Sequence, residues 1–362
     1  MDQIREGKAA IRAGDKVFFN PKMRKLRDMS VLFAKALGNK KARLLDCTAA
    51  TGIRAIRYAK EAGIREITAL DMNKSAYNSM RKNIAANKVK IKILNKSIQE
   101  FANTTAERFD IIDLDPFGTP SPHVFDILKI ANNNAVLMVT ATDTAVLCGA
   151  HEAACIKTYG SRPIHNELCK ESGVRILLNF ISRNAALFNF GIEPLLSVSD
   201  MHYMRVFVRL HAGAKEALAS AKENGFATFC GNCRSFSYSK GIAPRLNEKC
   251  AYCSKSTEFY GPMWLGNLLS KEFIAGMLKL MKSPYEGQKE LETIYNELDI
   301  PFFYSIPRIT KSLNTTSVSP EKVRTALIKR KLSATRTQFD KDAIKISGSV
   351  EDVIKAVKAS SV

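Results

Sequence analysis

From residue 42 onward the apolar positions fall into short runs separated by amphipathic stretches. Ala42 to Asp46, Glu66 to Asp71, Val89 to Leu94, Phe109 to Leu114 and Ala135 to Thr140 have strand length and are rich in Leu, Ile and Val. Between them the spacing turns helical. Ile53, Ile56 and Ala59 share a face, Asn73 can cap a helix running to about Ala86, and another helix is predicted around His123–Ala131. Strands alternating with helices predict a parallel sheet covered on both faces, with right-handed crossovers.

The flanking segments read differently. Val17-Phe18-Phe19 is a short strand or loop that Asn20-Pro21 breaks. A helix is predicted from Lys22 to Leu37, with Met23, Leu26, Met29, Leu32, Phe33 and Leu37 on one face and Gly38-Asn39 ending it. Residues 149–190 read as mainly helical. Ile192–Ser199 and Tyr203–Leu210 form an antiparallel hairpin at the sheet edge, turning at Asp200-Met201-His202. Residues 212–225 read as a connector, 226–262 as a Cys-containing segment and 267–298 as helical. Ser305–Leu313 and Glu321–Lys331 resemble a helix-turn-helix, with a wing at 334–339 and 343–347.

Composition narrows the partner. With 46% hydrophobic and 25% charged residues the chain of 362 residues is globular, and its length suits two domains. The formal net charge of +20 is high for such a protein and points to a polyanion, nucleic acid before membrane surface. Residues 1–60 hold 15 Lys and Arg against 5 Asp and Glu, half of that net charge. The first sixteen residues lack the apolar core of a signal peptide, and no apolar run reaches the length of a membrane span. The eight Cys fit a reducing compartment with a metal site, so a cytoplasmic protein is expected.

Three constellations carry chemistry. The first is the small-residue turn from Asp46 to Gly52, joined by Asp71 at the end of the second strand. Ligands of such sheets bind outside the carboxyl ends of the strands, and a carboxylate there suits a ribose diol. The turn is neither a dinucleotide fingerprint nor a Walker A loop. A nucleoside without phosphates fits better, namely S-adenosylmethionine. The second is Asp113-Leu114-Asp115-Pro116-Phe117-Gly118 after the fourth strand. An exocyclic amine on a base is a poor nucleophile, because its lone pair is delocalised into the ring. A carboxylate can accept its N–H, and a Phe ring can stack on the base. The third is Cys230-x2-Cys233-x16-Cys250-x2-Cys253, two knuckles that can place four thiolates on one structural zinc. Cys148, His151, Cys155, His165 and Cys169 read as buried thiols and their neighbours in a helical core before they read as a second metal site. Trp264 reads as a domain-junction anchor before a stacking platform.

These residues bring a family into view. The chain resembles the tRNA guanine-26 N2-dimethyltransferases through Phe18-Phe19-Asn20-Pro21, Arg27-Asp28, Leu45-Asp46, Ala50-Thr51-Gly52-Ile53-Arg54 and Asp113 to Gly118. The resemblance continues through Val139 to Asp143, Leu147 to His151, Gly173 to Leu177, Tyr260 to Gly266 and Ala334 to Thr337. It implies methyl transfer from S-adenosylmethionine to N2 of a guanine where the D and anticodon arms meet. Asp115 would contact the amine, and Phe117 and Phe18 would sandwich the guanine. Arg27, Asp46, Arg54 and Asp71 would contact the cofactor. Where the family carries an Asp-Ala pair after the third strand this chain has Ser97-Ile98, whose hydroxyl can accept from the adenine amine.

The expected fold is therefore α/β. A Rossmann-like class I methyltransferase sheet occupies residues 1–212, and a C-terminal α+β tRNA-binding domain occupies 213–362, with the zinc ribbon at about 226–262 and the helix-turn-helix at 305–347. The expected partner of this monomer is tRNA, gripped in part by Arg5, Lys8, Arg12, Lys16, Lys22, Arg24 and Lys25 around Phe18. Two other readings compete: a non-catalytic zinc-ribbon RNA-binding protein, and a methyltransferase of another exocyclic amine. The latter class carries a second Pro before the aromatic, where this chain has Asp-Pro-Phe.

Overall fold

A computed structural model of the chain describes residues 3–14, 17–200, 202–281 and 285–360; Lys16 of the basic start and Met201 of the expected hairpin turn lie outside them. The chain opens with an antiparallel hairpin that the apolar pattern did not announce, β1 (Ile4–Glu6) and β2 (Ala9–Ile11). Asn20 accepts from Lys22 N and starts a short 3-10 turn at Pro21 that leads into α1 (Arg24–Ala36). Buried charge fastens the hairpin to this helix. Glu6 takes Arg27 and Arg57, and Arg57 also reaches Asp28 and Glu61.

The alternating region folds as predicted, with an added helix at Ile98–Thr104. β3 (Arg43–Asp46), α2 (Ile53–Arg57), β4 (Glu66–Leu70), α3 (Lys74–Ala86), β5 (Lys92–Leu94), α4 (Ile98–Thr104), β6 (Phe109–Leu114), α5 (Ser121–Lys129) and β7 (Ala131–Ala141) follow in order. After α6 (Thr144–Leu147), α7 (Glu152–Tyr159) and α8 (Cys169–Ala186), the hairpin of β8 (Phe190–Ser199) and β9 (Met204–Ala212) closes one edge. The strand order is β5-β4-β3-β6-β7-β9-β8, with the last two strands antiparallel. Ile111, Ile112 and Leu114 of β6 and Val136 to Val139 of β7 are buried, as a sheet covered on both faces requires. Past β3 the chain turns sharply through Ala50 (φ 45°) and Gly52 (φ 79°), and a side chain on Gly52 would meet Met80 Cγ at 2.9 Å. Asn73 caps α3 by accepting from Ser75 N and Ala76 N.

The expected connector after β9 is instead a helix, α9 (Ala214–Lys222), whose Ala217 and Ser220 are buried. Gly213, at its N-cap, disguises its start. Then β10 (Asn224–Phe229), β11 (Phe236–Lys240) and β12 (Glu258–Trp264) form a small antiparallel sheet in the order β11-β10-β12. Helices α10 (Lys271–Leu280) and α11 (Gln288–Asn296) follow. The last lobe contains β13 (Tyr304–Ser305), α12 (Ile306–Ser312), α13 (Pro320–Lys329), β14 (Ala334–Arg336), β15 (Ala343–Ile346) and α14 (Val350–Ser360). The two helices and the wing strands lie where the sequence places them; α14 and β13 were not foreseen.

A fully buried ion cluster joins this lobe to α8. Glu171 accepts from Arg175 Nε (2.9 Å) and from the Phe302 amide (2.8 Å), while Arg175 donates to the carbonyls of Trp264 (3.0 Å) and Gly266 (3.1 Å). Lys345 Nζ lies 3.2 Å from Glu171 and 3.0 Å from Glu297, and donates to the Ile300 carbonyl. Trp264 is buried at this seam and its indole N–H donates to Asn267 O (2.9 Å), the anchor its sequence context suggests.

Candidate active site

The carboxyl ends of β3, β4 and β6 converge on a cavity of about 410 Å³. Of the residues expected there, Phe18, Arg27, Asp46, Arg54, Asp71, Asp115 and Phe117 line it. Ser97 and Ile98 do not. The Ser97 hydroxyl accepts from Glu100 N as the N-cap of α4, and Ile98 is packed in the core. A cap residue followed by an apolar one is what a helix start demands, and that local demand explains both side chains.

The floor of the cavity is a knot of buried charge. Asp113 lies one strand over from Asp46, paired with it in the β3–β6 register. Arg205 on β9 faces Thr140 across the β7–β9 register; it donates to Thr140 and, at 2.8 Å, to Asp113. Tyr58 donates to the other Asp113 oxygen at 2.5 Å. It sits in a π-helical turn, Tyr58–Ala62, that continues α2. Arg54 is ion-paired with Asp115 and lies 4.0 Å from Asp113. Thr48 Oγ1 donates to the Asp115 carbonyl (2.9 Å), tying the turns after β3 and β6 together.

Among the acids that face the two guanidinium groups, Asp46 and Asp115 are shifted in opposite directions. Burial pushes the Asp46 carboxyl up, and the neighbouring Asp113 and Asp115 add to this, to about 7; Arg54 only partly opposes them. Its Oδ2 is buried with no hydrogen-bond partner among the described residues. Asp115 goes the other way. Burial raises it, but Arg54 and Arg205 outweigh that and hold it below the usual carboxylate range. Its side chain keeps 18% of its exposure, so an ionised carboxylate faces the cavity.

The remaining wall is aromatic and polar. Phe18 and Phe117 are 54% and 74% exposed, and their rings meet edge to face with centroids 4.5 Å apart. Asp71 accepts from the amides of Ala50 and Asn73, both at 2.9 Å, which leaves each oxygen a further lone pair. Arg27 is spent largely on Glu6 and on the Asn20 carbonyl (3.0 Å), with its guanidinium 4.9 Å from the Phe19 ring centroid. It braces the segment that carries Phe18. Met72 and His123 also line the cavity and were not singled out in the sequence. Nor were Tyr58 and Arg205, which become visible only through the π turn and the antiparallel register.

The four Cys also converge. The Sγ atoms of Cys230, Cys233, Cys250 and Cys253 all lie within 4.8 Å of one another, and two of their contacts are 3.5 Å. Four thiolates about 2.3 Å from one tetrahedral ion would be about 3.8 Å apart, so the set fits zinc. The knuckles repeat each other residue for residue. Cys230 N donates to Ser235 O and Arg234 N to Cys230 O; Cys250 N donates to Lys255 O and Ser254 N to Cys250 O. Arg234 and Ser254, at the same place in each, have φ of 64° and 60°. Among the described residues this is the one such ligand group, so Cys148, Cys155, Cys169 and His165 do not form a second.

This geometry can be set beside known proteins. The family model for N2,N2-dimethylguanosine tRNA methyltransferase matches residues 2–358. The chain belongs to this family. It is 33% identical to the tRNA (guanine(26)-N(2))-dimethyltransferase of Methanothermobacter thermautotrophicus, over 98% of each chain. It is 35% identical to the enzyme of that name from Thermococcus kodakarensis, over 94% of this chain and 93% of the other. The solved structure of Trm1 from Pyrococcus horikoshii with S-adenosyl-L-methionine superposes with a TM-score of 0.92 at 33% identity, covering 98% of this chain and 99% of that one. Family membership confirms the α/β sheet fold and the resemblance drawn from the motifs. No helix among the described residues is long and apolar enough to cross a membrane.

Proposed function

We propose that this chain transfers one or two methyl groups from S-adenosylmethionine to the exocyclic N2 of guanine 26 in tRNA, giving N2-methyl- and N2,N2-dimethylguanosine. The observation that carries this reading is the ionised Asp115 between a buried acidic floor and the Phe18–Phe117 pair, in a chain of this family.

The residues present fit the cofactor. The unpartnered Asp46 oxygen is a buried acceptor suited to a cationic centre, and Asp71 retains lone pairs for two ribose hydroxyls. Bound there, S-adenosylmethionine would supply an electrophilic methyl group and leave as the neutral thioether. Arg54 fixes Asp115 and keeps it ionised. Asp115 accepts an N–H from the amine, aims the nitrogen, and takes its proton as the new N–C bond forms. Its partial exposure lets that proton escape, so the same carboxylate can serve a second round.

The guanine has to leave its stack to reach Asp115. A base held between two parallel rings needs them about 7 Å apart, two layers of van der Waals contact. Base entry therefore parts Phe18 from Phe117. Phe18 can yield because its ring is half exposed. Beside the cavity, α3 and the start of the chain form a polar groove lined by Arg12, Ser75, Asn78, Ser79 and Lys82, suited to RNA backbone. We assign residues 1–212 to catalysis and 213–362 to tRNA binding, with zinc stapling the knuckles, in a cytoplasmic monomer.

The test is incubation with labelled S-adenosylmethionine and unmodified tRNA transcripts carrying guanine or adenine at position 26, with the product mapped by mass spectrometry. Methylated guanosine at position 26 of the first transcript alone is expected. Label elsewhere in the RNA, or on DNA or protein only, overturns the reading.

A further inference from the structure

A second cleft, between the Cys module and the last lobe, takes no part in this chemistry. It encloses about 380 Å³, within the usual range for small-ligand sites. Phe236 from β11 stacks on Tyr304 with centroids 4.8 Å apart, and meets Phe302 edge-on at 5.5 Å. Phe302 and Tyr304 are buried, so these rings make a rigid aromatic floor. Tyr238 and Tyr252 line the same cleft yet keep 42% and 44% of their exposure. Tyr238 touches Phe302 only distantly, at 6.4 Å, and among the described residues no ring pairs with Tyr252. Lys249, beside the metal ligand Cys250, lines it too.

The surroundings say what kind of ligand this is. Residues 226–262 carry five Lys and Arg against two Glu, and residues 300–362 carry twelve against five Asp and Glu. A cation in the lining, exposed aromatic rings and a net basic pair of flanking segments suit nucleic acid. Paired RNA hides its base faces in the stack, whereas an unpaired nucleotide can offer one to a ring. We propose that this cleft binds an unpaired nucleotide of the tRNA substrate, its base laid on Tyr238 and Tyr252 and its phosphate on Lys249. The proposal rests on tRNA being the substrate. It gives the second half of the chain a nucleotide-sized foothold, separate from the methylated guanine.

The test uses the full zinc-loaded chain and an unmodified tRNA transcript. The Tyr238→Ala/Tyr252→Ala double variant should weaken tRNA binding roughly five- to hundredfold, the usual range for lost base stacking. KM should rise with it while kcat and cofactor affinity stay as in the parent. The Tyr238→Phe/Tyr252→Phe variant keeps the ring faces and should bind like the parent. Parent-like binding by the Ala variant with zinc retained, or equal loss in the Phe variant, overturns the proposal. Ultraviolet crosslinking of the unaltered complex needs no variant and should leave a nucleotide on the peptide containing Tyr238 or Tyr252. Crosslinks confined to residues of the 410 Å³ cavity would remove the cleft and leave the methyltransferase reading standing. No affinity for tRNA at all would overturn that reading itself.

Discussion

At the seam between α8 and the last lobe, two buried acids, Glu171 and Glu297, face two buried bases, Arg175 and Lys345, with Asp299 at the half-buried edge. On the floor of the cavity three, Asp46, Asp113 and Asp115, face Arg54 and Arg205. Both clusters are largely buried, yet they do different things. At the seam burial pushes all three acids up; Lys345 and Arg175 more than reverse it for Glu171, so its charge supports the fold, while Glu297 and Asp299 stay raised. On the floor the surplus acid has nowhere to place its charge, and Asp46 is driven toward neutrality with an oxygen unpartnered. Every acid at the seam has a cation or an amide donor beside it: Lys345 for Glu171 and Glu297, and Leu268 N for Asp299. The floor instead opens on a cavity with an acid oxygen left over, a place a cationic ligand can fill.

That contrast can be broken most severely at Asp115. Asp115→Asn leaves two acids for two bases, so the fold should hold, with Tm within about 3 °C of the parent. Methyl transfer should fall by roughly 10²- to 10⁴-fold, the range for losing a positioned proton acceptor. Rapid-quench single turnovers with melting curves check both. The reverse pattern is expected at Glu171→Gln. Removing one partner of a buried cluster costs roughly 3–5 kcal/mol, and denaturant titration should show it, while the folded fraction keeps its single-turnover rate. Because the Glu171 carboxyl is held low, its contribution is present at neutral pH and is lost as pH falls through its folded value. The mildest effect on the floor should come from removing the metal. Chelation should release the knuckles and weaken tRNA binding, while cofactor affinity shifts by less than about twofold; calorimetry on the chelated protein measures this.

Much of the contrast is written in local sequence. The alternation of Leu44-Leu45 with helical stretches gives the sheet, because period and strand length are local properties. Asp115-Pro116-Phe117 and the two C-x-x-C knuckles are legible because contiguous residues make each site. What was hidden is long-range. Arg205 meets Asp113 only because β9 pairs antiparallel with β7, and no spacing in the chain encodes that register. The seam joins Glu171, Glu297 and Lys345, each an ordinary surface type until the lobes close over it, with the amide of Phe302. Ser97-Ile98, expected to contact the adenine, lie outside the cavity lining because Ser97 caps α4 three residues ahead of Glu100. Helix α9 was missed because Gly213 and a run of Ala and Lys read as a linker.

Asp46 tests the difference between the two clusters most directly. Its carboxyl is pushed up to about 7 in the folded chain from an ordinary value near 3.8. It therefore holds its proton more tightly folded than unfolded. Its contribution to stability is full below about pH 4 and is lost as pH climbs through 7. The measurement is a denaturant titration of Asp46→Asn against the parent at pH 8, with cofactor affinity read by calorimetry on the same samples. The variant should be more stable by roughly 2–4 kcal/mol and should bind S-adenosylmethionine more weakly, with the stability gain gone at pH 4. A variant that is less stable at pH 8, or that binds the cofactor as tightly as the parent, would contradict the reading of the floor as charge held in readiness for a ligand.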